Sequence, residues 1–321
     1  MEAIRKIAWG LRMNRREWML GLAAAGLAEG RGLDWSRFAV LTDEVAGSEA
    51  EAIEFARQYG LKWVELRGTP RAQDRTRKSE DYFRMEPERL KVVKEDLRRA
   101  GFRVSFLNTG LLKFGLPGSD LKLSRVESAE ARTKREERQQ TLYANRMKDL
   151  ELAIRAAHIL EVKQLRVFAF LRVNNVAALE ERLANELGEY AKVAEREGIR
   201  LLLENESSCN VATSKELAGM TLKVNTKGLG MNWDPDNTWA FGERAWPDGY
   251  QALPLKKLGN VQMKAGNVIG PRKIDWTAII AALNRDGYKG CIGLETHVFD
   301  GTLIEKAHLC MKEIRGYFPA S

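Results

Sequence analysis

Three acidic side chains each stand at the end of a run of apolar residues. They are Glu204, Asp234 and Glu295. If these runs are parallel strands of one sheet, their C-terminal ends meet at one edge and the three carboxylates would repel one another. A divalent cation cancels that repulsion and prefers oxygen ligands. The pattern therefore predicts a metal centre, with a ring of salt bridges to Lys264 as the alternative.

A fourth apolar run lies between Asp234 and Glu295 and carries Gln262 and Lys264. The side-chain carbonyl of Gln262 can serve as a further oxygen ligand. Lys264 is a cation that can stabilise an oxyanion or assist a leaving hydroxyl group. We therefore expect four consecutive strands to contribute to one site.

The elements that would position these side chains are eight strand-like runs, separated by helical patterns from about residue 36 onward. The runs cover residues 38–42, 63–66, 103–107, 165–169, 199–203, 229–233, 260–264 and 291–295. This alternation predicts an α/β fold, a single (β/α)8 TIM barrel over residues 36–321. No GxGxxG motif follows a strand, which argues against an open dinucleotide-binding sheet. Residues 109–135 are predicted to be an insertion over the C-terminal face.

The first 35 residues differ in character from the rest. Arg15 and Arg16 precede a short stretch of small and apolar residues, 21–28, which ends at the spacing that a signal peptidase accepts. Residues 1–35 therefore resemble a twin-arginine export signal, which predicts a periplasmic protein. The alternative is an N-terminal amphipathic helix on the barrel of a cytoplasmic protein. The apolar stretch is too short for a stable membrane span.

Composition excludes several classes of protein. The chain has 321 residues and a formal charge of +8, but its charges are of both signs and lie in mixed runs such as 71–84 and 132–138. Such runs are typical of solvated surfaces, so we expect no nucleic acid partner. The three cysteines are odd in number and form no CxxC pair, which argues against a zinc finger or a disulfide framework.

Several segments together resemble the xylose-isomerase-like barrels of sugar (phosphate) isomerases and epimerases, from about Phe38 to Phe318. The segments are Leu41–Val45, Gly60–Arg67, Leu203–Asn205, Gly230–Asn237 and Gly293–His297, of which Gly230–Asn237 is the most specific. In this family one metal is bound by Glu, Asp, His and Glu from the last four strands. The resemblance places these ligands at Glu204, Asp234, Gln262 and Glu295.

Strand seven departs from the family pattern. The family usually reads His-x-Lys-Asp there, whereas this chain has Gln262, Met263, Lys264 and Ala265. Loss of an imidazole favours Mn2+ or Mg2+ as the cofactor, with Co2+ or Zn2+ as alternatives. Some dehydratase-type relatives also accommodate glutamine at this position.

The resemblance implies a metal-dependent sugar isomerase or epimerase. Glu204 and Glu295 would remove and return a proton next to a carbonyl group, through an enediolate, with assistance from Lys264. The same chemistry supports an alternative, a lyase or dehydratase that acts on a keto-sugar or keto-glycoside. A third alternative is a sugar-binding barrel without catalytic activity.

Further side chains at or just beyond strand ends are expected to line the substrate pocket. They are His297, Asn237, Trp233, Glu65 and Asn108. The partner implied is a small carbohydrate, and the family resemblance also implies a homodimer. The related AP endonucleases bind DNA through a histidine-rich zinc site, for which the three histidines of this chain do not suffice.

Overall fold

A closed barrel of eight parallel strands forms the centre of the computed structural model, which describes residues 33–71 and 78–318. The strands pair in chain order, and β8 closes the barrel against β1. The predicted (β/α)8 TIM barrel is thereby confirmed. The strands are β1 (Phe38–Leu41), β2 (Trp63–Leu66), β3 (Arg103–Leu111), β4 (Gln164–Val167), β5 (Arg200–Glu204), β6 (Leu229–Trp233), β7 (Leu258–Met263) and β8 (Cys291–Leu294).

Helices surround the barrel and connect the strands. Those of ten or more residues within the described ranges are α1 (Glu49–Gln58), α2 (Pro87–Arg99), α3 (Ala129–Leu160), α4 (Glu180–Arg196), α5 (Ser214–Val224), α6 (Trp276–Arg285) and α7 (Leu303–Arg315). Local sequence sets their ends: the Ser48 side chain accepts a hydrogen bond from the Glu51 amide at the start of α1. Gly101, with φ of +87°, follows the end of α2. Between β6 and β7 the chain forms only short helical turns.

The predicted insertion after the third strand is shorter than expected. β3 continues to Leu111 because the Thr109 hydroxyl donates to the Arg166 carbonyl and the Phe168 amide donates to the Leu111 carbonyl at 3.0 Å. The following helix begins at Ala129, where the Ser128 side chain accepts a hydrogen bond from the Ala131 amide at 3.2 Å. The irregular segment therefore covers residues 112–128 rather than 109–135.

The base of the barrel begins before residue 36. Leu33 is buried and its amide donates to Asn284 Oδ1 at 3.0 Å. The Trp35 ring stacks on Phe38 with 4.9 Å between centroids and meets Phe318 edge-on at 5.4 Å. Residues 33–35 thus belong to the barrel, whereas residues 1–32 of the predicted leader lie outside the described residues. Within the described ranges, no helix combines the length and apolar character needed to cross a bilayer.

The three cysteine side chains are separate free thiols. Cys209 and Cys310 are buried, and Cys291 is half-buried. Burial raises the pKa of each thiol to about 12. All three therefore behave as packing residues in the fold.

Candidate metal and substrate site

Three carboxylates converge at the C-terminal mouth of the barrel. Glu204 is the last residue of β5, Asp234 follows β6 and Glu295 follows β8. One carboxylate oxygen from each lies within 4.8 Å of the others, and all three side chains are buried. Strand register places them together, because the C-terminal ends of parallel strands meet at one face.

Two buried cations lie between these acids. Lys264 Nζ is 2.7 Å from Asp234 Oδ2 and 4.0 Å from Glu295 Oε2. Arg166 Nη1 is 3.2 Å from Glu204 Oε2 and 3.8 Å from Glu295 Oε1. Arg166 is not among the residues predicted from the sequence, although a charged residue inside the apolar run of β4 is a signal for it. Lys264 therefore forms salt bridges with the acids, as the sequence allows, and Arg166 extends them into a larger ion-pair network.

Even with these cations, the mouth holds an excess of carboxyl groups. Its connected acidic side chains are Asp43, Glu44, Glu65, Glu204, Asp234 and Glu295, and its cations are Arg67, Arg166 and Lys264. With six carboxyl groups against three cations, either some of the acids are protonated or a divalent cation neutralises the excess charge. The donor set therefore fits a hard divalent metal.

Gln262 supplies a second reason for that fit. Its Nε2 donates to Glu65 Oε2 at 2.8 Å and to Asn108 Oδ1 at 3.4 Å. Its Oε1 is buried and has no hydrogen-bond partner among the described residues. A buried carbonyl oxygen without a donor is rare, and a metal ligand is one explanation of it. The role of Gln262 as a fourth ligand stays a prediction, with Oε1 as the atom that would bind the metal.

Glu65 is the group that orients Gln262. It is fully buried and accepts hydrogen bonds from Asn108 at 2.8 Å, Asn260 at 3.0 Å and Gln262 at 2.8 Å. Gly293 leaves space for it, since a Cβ atom there would overlap the Glu65 carboxylate. Burial raises the pKa of Glu65 to about 7, although the three amides oppose the shift.

The structure corrects three of the predicted substrate contacts. Glu65 and Asn108 are buried in the barrel interior and contact each other and Gln262. They therefore position Gln262, a candidate metal ligand, and do not line the substrate pocket. Trp233 is also fully buried, and its Nε1 donates to Ser214 Oγ at 3.0 Å on the helix side of β6. Its neighbour Asn232 faces the barrel interior instead, because alternate residues of a strand face opposite sides.

Asn237 and His297 do lie at the mouth. Asn237 Oδ1 accepts a hydrogen bond from Lys264 Nζ at 2.8 Å, which fixes the lysine. His297 has its ring exposed and packed edge-on against Phe299, with 4.6 Å between centroids. Its backbone is left-handed, with φ of +54°, and its amide donates to Glu44 Oε2 at 2.8 Å. The His297 ring is therefore exposed at the mouth, beside Glu44 and Glu295.

Arg67 forms one wall of a cavity of about 670 Å³ beside the carboxylates. Its guanidinium contacts Asp43 at 2.8 Å, Glu44 at 2.5 Å and Glu295 at 2.7 Å. The Arg67 side chain is 28% exposed, so it can contact the acids and also face the cavity. Arg67 thus lies between this cavity and Glu295, which is not among the lining residues.

Burial and charge separate the pKa values of the acids. Burial raises the pKa of Asp234 to about 7, in spite of Lys264, and also raises the pKa of Glu204. Burial acts in the same direction on Glu295, but Lys264, Arg67 and Arg166 together hold the pKa of Glu295 at about 2. Glu295 is thus the acid that stays ionised most readily.

Comparisons with known proteins agree with this fold. A family described as xylose isomerase-like TIM barrel matches residues 53–314. No curated protein sequence matches the chain.

Several solved structures share the fold at low sequence identity. One is 3-keto-D-glucoside 4-epimerase, YcjR, from E. coli, with a TM-score of 0.61 and 14% identity over 88% of this chain and 98% of that chain. Another is the probable 3-DHS dehydratase AsbF from Bacillus anthracis, with a TM-score of 0.60 and 17% sequence identity over 87% of this chain and 98% of that chain. A third is the IOLI protein with a bound zinc atom, with a TM-score of 0.62 and 15% sequence identity over 89% of this chain and 100% of that chain.

Proposed function

This chain belongs to the xylose isomerase-like TIM barrel family, and we propose that it is a divalent-metal-dependent sugar isomerase or epimerase. The reaction would remove a proton from the carbon next to a carbonyl group and return it at another position or on the other face. Solved structures of the same fold include a 3-keto-D-glucoside 4-epimerase, which supports this class of substrate.

The main support is the convergence of three buried carboxylates with an unpartnered amide oxygen. Glu204, Asp234, Gln262 and Glu295 would hold the metal, with Mn2+ or Mg2+ favoured by an all-oxygen donor set. A bound divalent cation would polarise the carbonyl group of the substrate and stabilise the negative charge that develops on it.

The two glutamates would move the proton. One of the two would take the proton as a carboxylate, and the other would return it to the enediolate. Burial raises the pKa of Glu204, whereas Lys264, Arg67 and Arg166 lower the pKa of Glu295, so the carboxylate of Glu204 is the stronger base of the two. Lys264 remains charged beside Asp234 and Glu295, where it opposes the build-up of negative charge.

The favoured substrate is an uncharged keto-sugar or keto-glycoside. The leader resembles an export signal, and we propose a periplasmic location, where sugar phosphates are not expected as substrates. A cavity of about 670 Å³ lies next to the carboxylates, separated from Glu295 by Arg67, and is large enough to admit part of a monosaccharide or small glycoside.

His297 favours a second candidate reaction, the elimination of water from a keto-sugar. A nitrogen of its ring lies within 4.8 Å of carboxylate oxygens of Glu44 and Glu295. After one of the glutamates takes the proton next to the carbonyl, the imidazolium form of His297 would give its proton to the departing hydroxyl group and become neutral imidazole, a form that burial favours. Release of an enone, absent with His297→Asn, would identify elimination in place of epimerisation.

Proton exchange provides the direct test. We would strip the protein of metal, add Mn2+ and incubate it in D2O with D-fructose, L-ribulose and a 3-keto-glucoside. NMR should show deuterium at the carbon next to the carbonyl group for at least one compound. Glu204→Gln and Glu295→Gln should each slow exchange by about 10²–10⁴-fold, while Glu151→Gln on the exposed side of α3 should have no effect. Exchange with none of the three compounds would overturn the enolisation proposal.

The same variants separate an enzyme from a sugar-binding barrel. A binding protein without catalytic activity would show no exchange, yet would bind one of these sugars with similar affinity in the parent protein and in both glutamine variants. Isothermal titration calorimetry with each sugar would measure that affinity.

A further inference from the structure

A second cavity, of about 550 Å³, lies at the mouth of the barrel between the loops that follow β7 and β8. It is here called the rim cavity. It differs from the cavity beside Arg67, although Val298 and Phe299 line both. Six of its lining residues have side chains suited to ligand binding: Asp236, Lys264, Arg272, Thr296, His297 and Phe299.

The rim cavity begins one side chain away from the candidate metal ligands. Lys264 lines it, and Lys264 Nζ is 2.7 Å from Asp234 Oδ2. His297 also lines it, and a ring nitrogen of His297 lies within 4.8 Å of a Glu295 carboxylate oxygen. Asp234 and Glu295 themselves are not among the lining residues. A group in the rim cavity would therefore lie beside the reaction centre without reaching it, as a non-reacting part of a substrate would.

Two buried polar side chains that line the rim cavity lack hydrogen-bond partners. Thr296 is fully buried, and its Oγ1 has no partner within residues 33–71 and 78–318. The Asp236 side chain is 10% exposed; its Oδ2 lies 3.2 Å from Arg272 Nη2, but its Oδ1 has no partner in the same part of the chain. Buried polar atoms without partners cost stability and are uncommon. Ligand hydroxyl groups could donate to both oxygens, and Thr296 could donate in return.

Gly266 shows where Asp236 Oδ1 lies. A Cβ atom at position 266 would be 3.3 Å from Asp236 Oδ1 and 2.9 Å from Arg272 Nη2. Gly266 is itself a lining residue of the rim cavity. The unpartnered oxygen of Asp236 is therefore next to the backbone of the cavity wall, and glycine leaves room for it there.

The cations that line the rim cavity are already paired with carboxylates. The pairs are Lys264 with Asp234 at 2.7 Å, Arg272 with Asp236 at 3.2 Å and Lys306 with Asp300 at 2.6 Å. A phosphate group would meet these carboxylates together with the cations, whereas an uncharged hydroxyl group can donate to the acids and accept from the bases. The charge of the lining therefore favours an uncharged ligand that is rich in hydroxyl groups.

Phe299 adds an apolar surface to the same cavity. It is 67% exposed, and its ring meets the His297 ring edge-on. A single exposed aromatic residue needs no explanation, but this one lines the same cavity as two unpartnered polar side chains. A sugar ring has an apolar face of C–H groups and hydroxyl groups around its edge. It would match an aromatic ring placed together with Asp236 and Thr296.

We propose that the rim cavity binds the non-reacting sugar of a keto-glycoside. Its hydroxyl groups would contact Asp236 and Thr296, and its apolar face would pack on Phe299. The assignment rests on the proposed function, and it narrows the substrate class from keto-sugars in general to glycosides with at least two rings. Asp236 and Thr296 would determine specificity, because they contact the ring that does not react.

Binding of two matched glycosides tests the rim cavity. The probes are methyl 3-keto-glucoside and a disaccharide in which glucose replaces the methyl group. Calorimetric titration of the Mn2+-loaded chain should show that the disaccharide binds about tenfold more tightly or better, as expected from one or two additional hydrogen bonds to buried groups. Equal affinity for the two glycosides, or no binding of either, would overturn the proposal.

Two substitutions locate the preference for the disaccharide. Thr296→Val and Asp236→Ala should each reduce that preference to about threefold or less. Thr296→Val should at the same time maintain or raise Tm, because it removes a buried hydroxyl group that has no partner. A purely structural role of Thr296 would give the opposite result, a lower Tm and an unchanged preference.

Thr141→Val and Asp248→Ala are the matched controls. Thr141 is exposed on α3, and Asp248 pairs with Arg244 on the surface of the segment between β6 and β7. Both variants should keep the preference of the parent chain for the disaccharide. An equal loss of preference in these controls would overturn the assignment of the rim cavity.

Proton exchange in D2O separates this proposal from the proposed function. If a keto-sugar exchanges its proton but the disaccharide binds no better than the methyl glycoside, the function stands and the rim cavity is not a sugar site. If the disaccharide is preferred, Thr296→Val removes the preference and no keto-sugar exchanges, the sugar site stands and the enolisation is wrong.

D-fructose 6-phosphate provides the last arm. It should bind no more tightly than D-fructose, because the cations of the rim cavity are paired. If the phosphate instead strengthened binding about tenfold or more, and Arg272→Met abolished the gain, the rim cavity would be a phosphate site and the proposal would be wrong.

Discussion

The two ends of the barrel differ in the sign, the burial and the pairing of their charges. At the C-terminal mouth, Glu204, Asp234 and Glu295 are buried and contact Arg166 and Lys264. At the N-terminal face, a basic residue stands at or just before the start of each strand, and none of the eight lies within 4.0 Å of a carboxylate oxygen of residues 33–71 and 78–318. These residues, here called the basic ring, are Arg37, Lys62, Arg103, Lys163, Arg200, Lys227, Lys257 and Lys289. The difference shows that burial determines pairing: a desolvated charge needs a counter-ion, whereas water and salt screen an exposed one.

This difference implies two kinds of response. Changes at the mouth should alter folding stability and metal affinity strongly, because the interactions there are not screened. Changes in the basic ring should alter long-range attraction and respond to salt, with little effect on folding. The following predictions test that contrast, from the largest expected effect to the smallest.

Removal of Arg166 should have the largest effect. Arg166→Met leaves the buried carboxylates of Glu204 and Glu295 without this cation, so the free energy of unfolding of the metal-free protein should fall by about 3–5 kcal/mol. Urea denaturation with a chelator present would measure the loss. Added Mn2+ should recover much of it, because a divalent cation would replace the missing positive charge.

Arg98→Met is the control, because Arg98 pairs with Glu95 on the exposed side of α2. It should leave the denaturation midpoint unchanged with or without Mn2+. If Arg166→Met were equally harmless, the mouth would not differ from the surface, and the contrast between the two ends would fail.

Glu65→Gln should weaken metal binding by about 10–100-fold, as expected for a group that orients a ligand. A glutamine at position 65 cannot accept from Asn108, Asn260 and Gln262 as the carboxylate does, so the Gln262 amide would lose its fixed orientation. Calorimetric titration with Mn2+ would measure the change.

Glu161→Gln serves as the matched control, since Glu161 lies in the loop before β4 at the opposite end of the barrel. Its metal affinity should equal that of the parent. Unchanged affinity in Glu65→Gln would show that Gln262 is not held for metal binding by this network.

Metal affinity should depend on pH because protons compete for Asp234. Burial raises its pKa to about 7, so below pH 7 the carboxyl group is mainly protonated and must lose its proton before it can bind metal. The apparent affinity for Mn2+ should therefore fall about tenfold per pH unit below 7 and level off above 7. Titrations between about pH 5.5 and 8.5 would show this; a flat profile would contradict it.

Removal of one charge from the basic ring should have the smallest effect. Lys289→Gln removes one of three cations, with Arg200 and Lys256, that line a cavity of about 320 Å³ at the N-terminal face, so Tm should rise by about 1–2 °C at low salt. The gain should vanish at high salt, because exposed charges are screened there. Differential scanning calorimetry would measure it, with Lys134→Gln as the control that changes net charge equally.

The fold followed from the sequence because each strand is a short apolar run between helical patterns. The three acids were found for the same reason, since a carboxylate that ends such a run stands out. Arg166 was missed because it lies inside the run of β4, where strand alternation hides a side chain that faces the barrel interior.

Trp233 was misplaced for a related reason. The sequence shows that it is near the end of β6, but which of Asn232 and Trp233 faces the interior depends on the register of the closed barrel. Glu65 and Asn108 show another limit: their contacts with Gln262 join β2, β3 and β7, which are distant in sequence. Networks of that kind depend on three-dimensional proximity alone.

The separate thiols have a consequence for where this protein can work. With a pKa of about 12 for Cys209, Cys291 and Cys310, on the order of one thiol in 100,000 is in the reactive thiolate form at pH 7. Neither glutathione nor a disulfide-forming enzyme would find a ready partner in the folded barrel. The three thiols should therefore stay reduced both in a reducing cytoplasm and in an oxidising compartment outside it. Passage between the two would require no change in covalent structure.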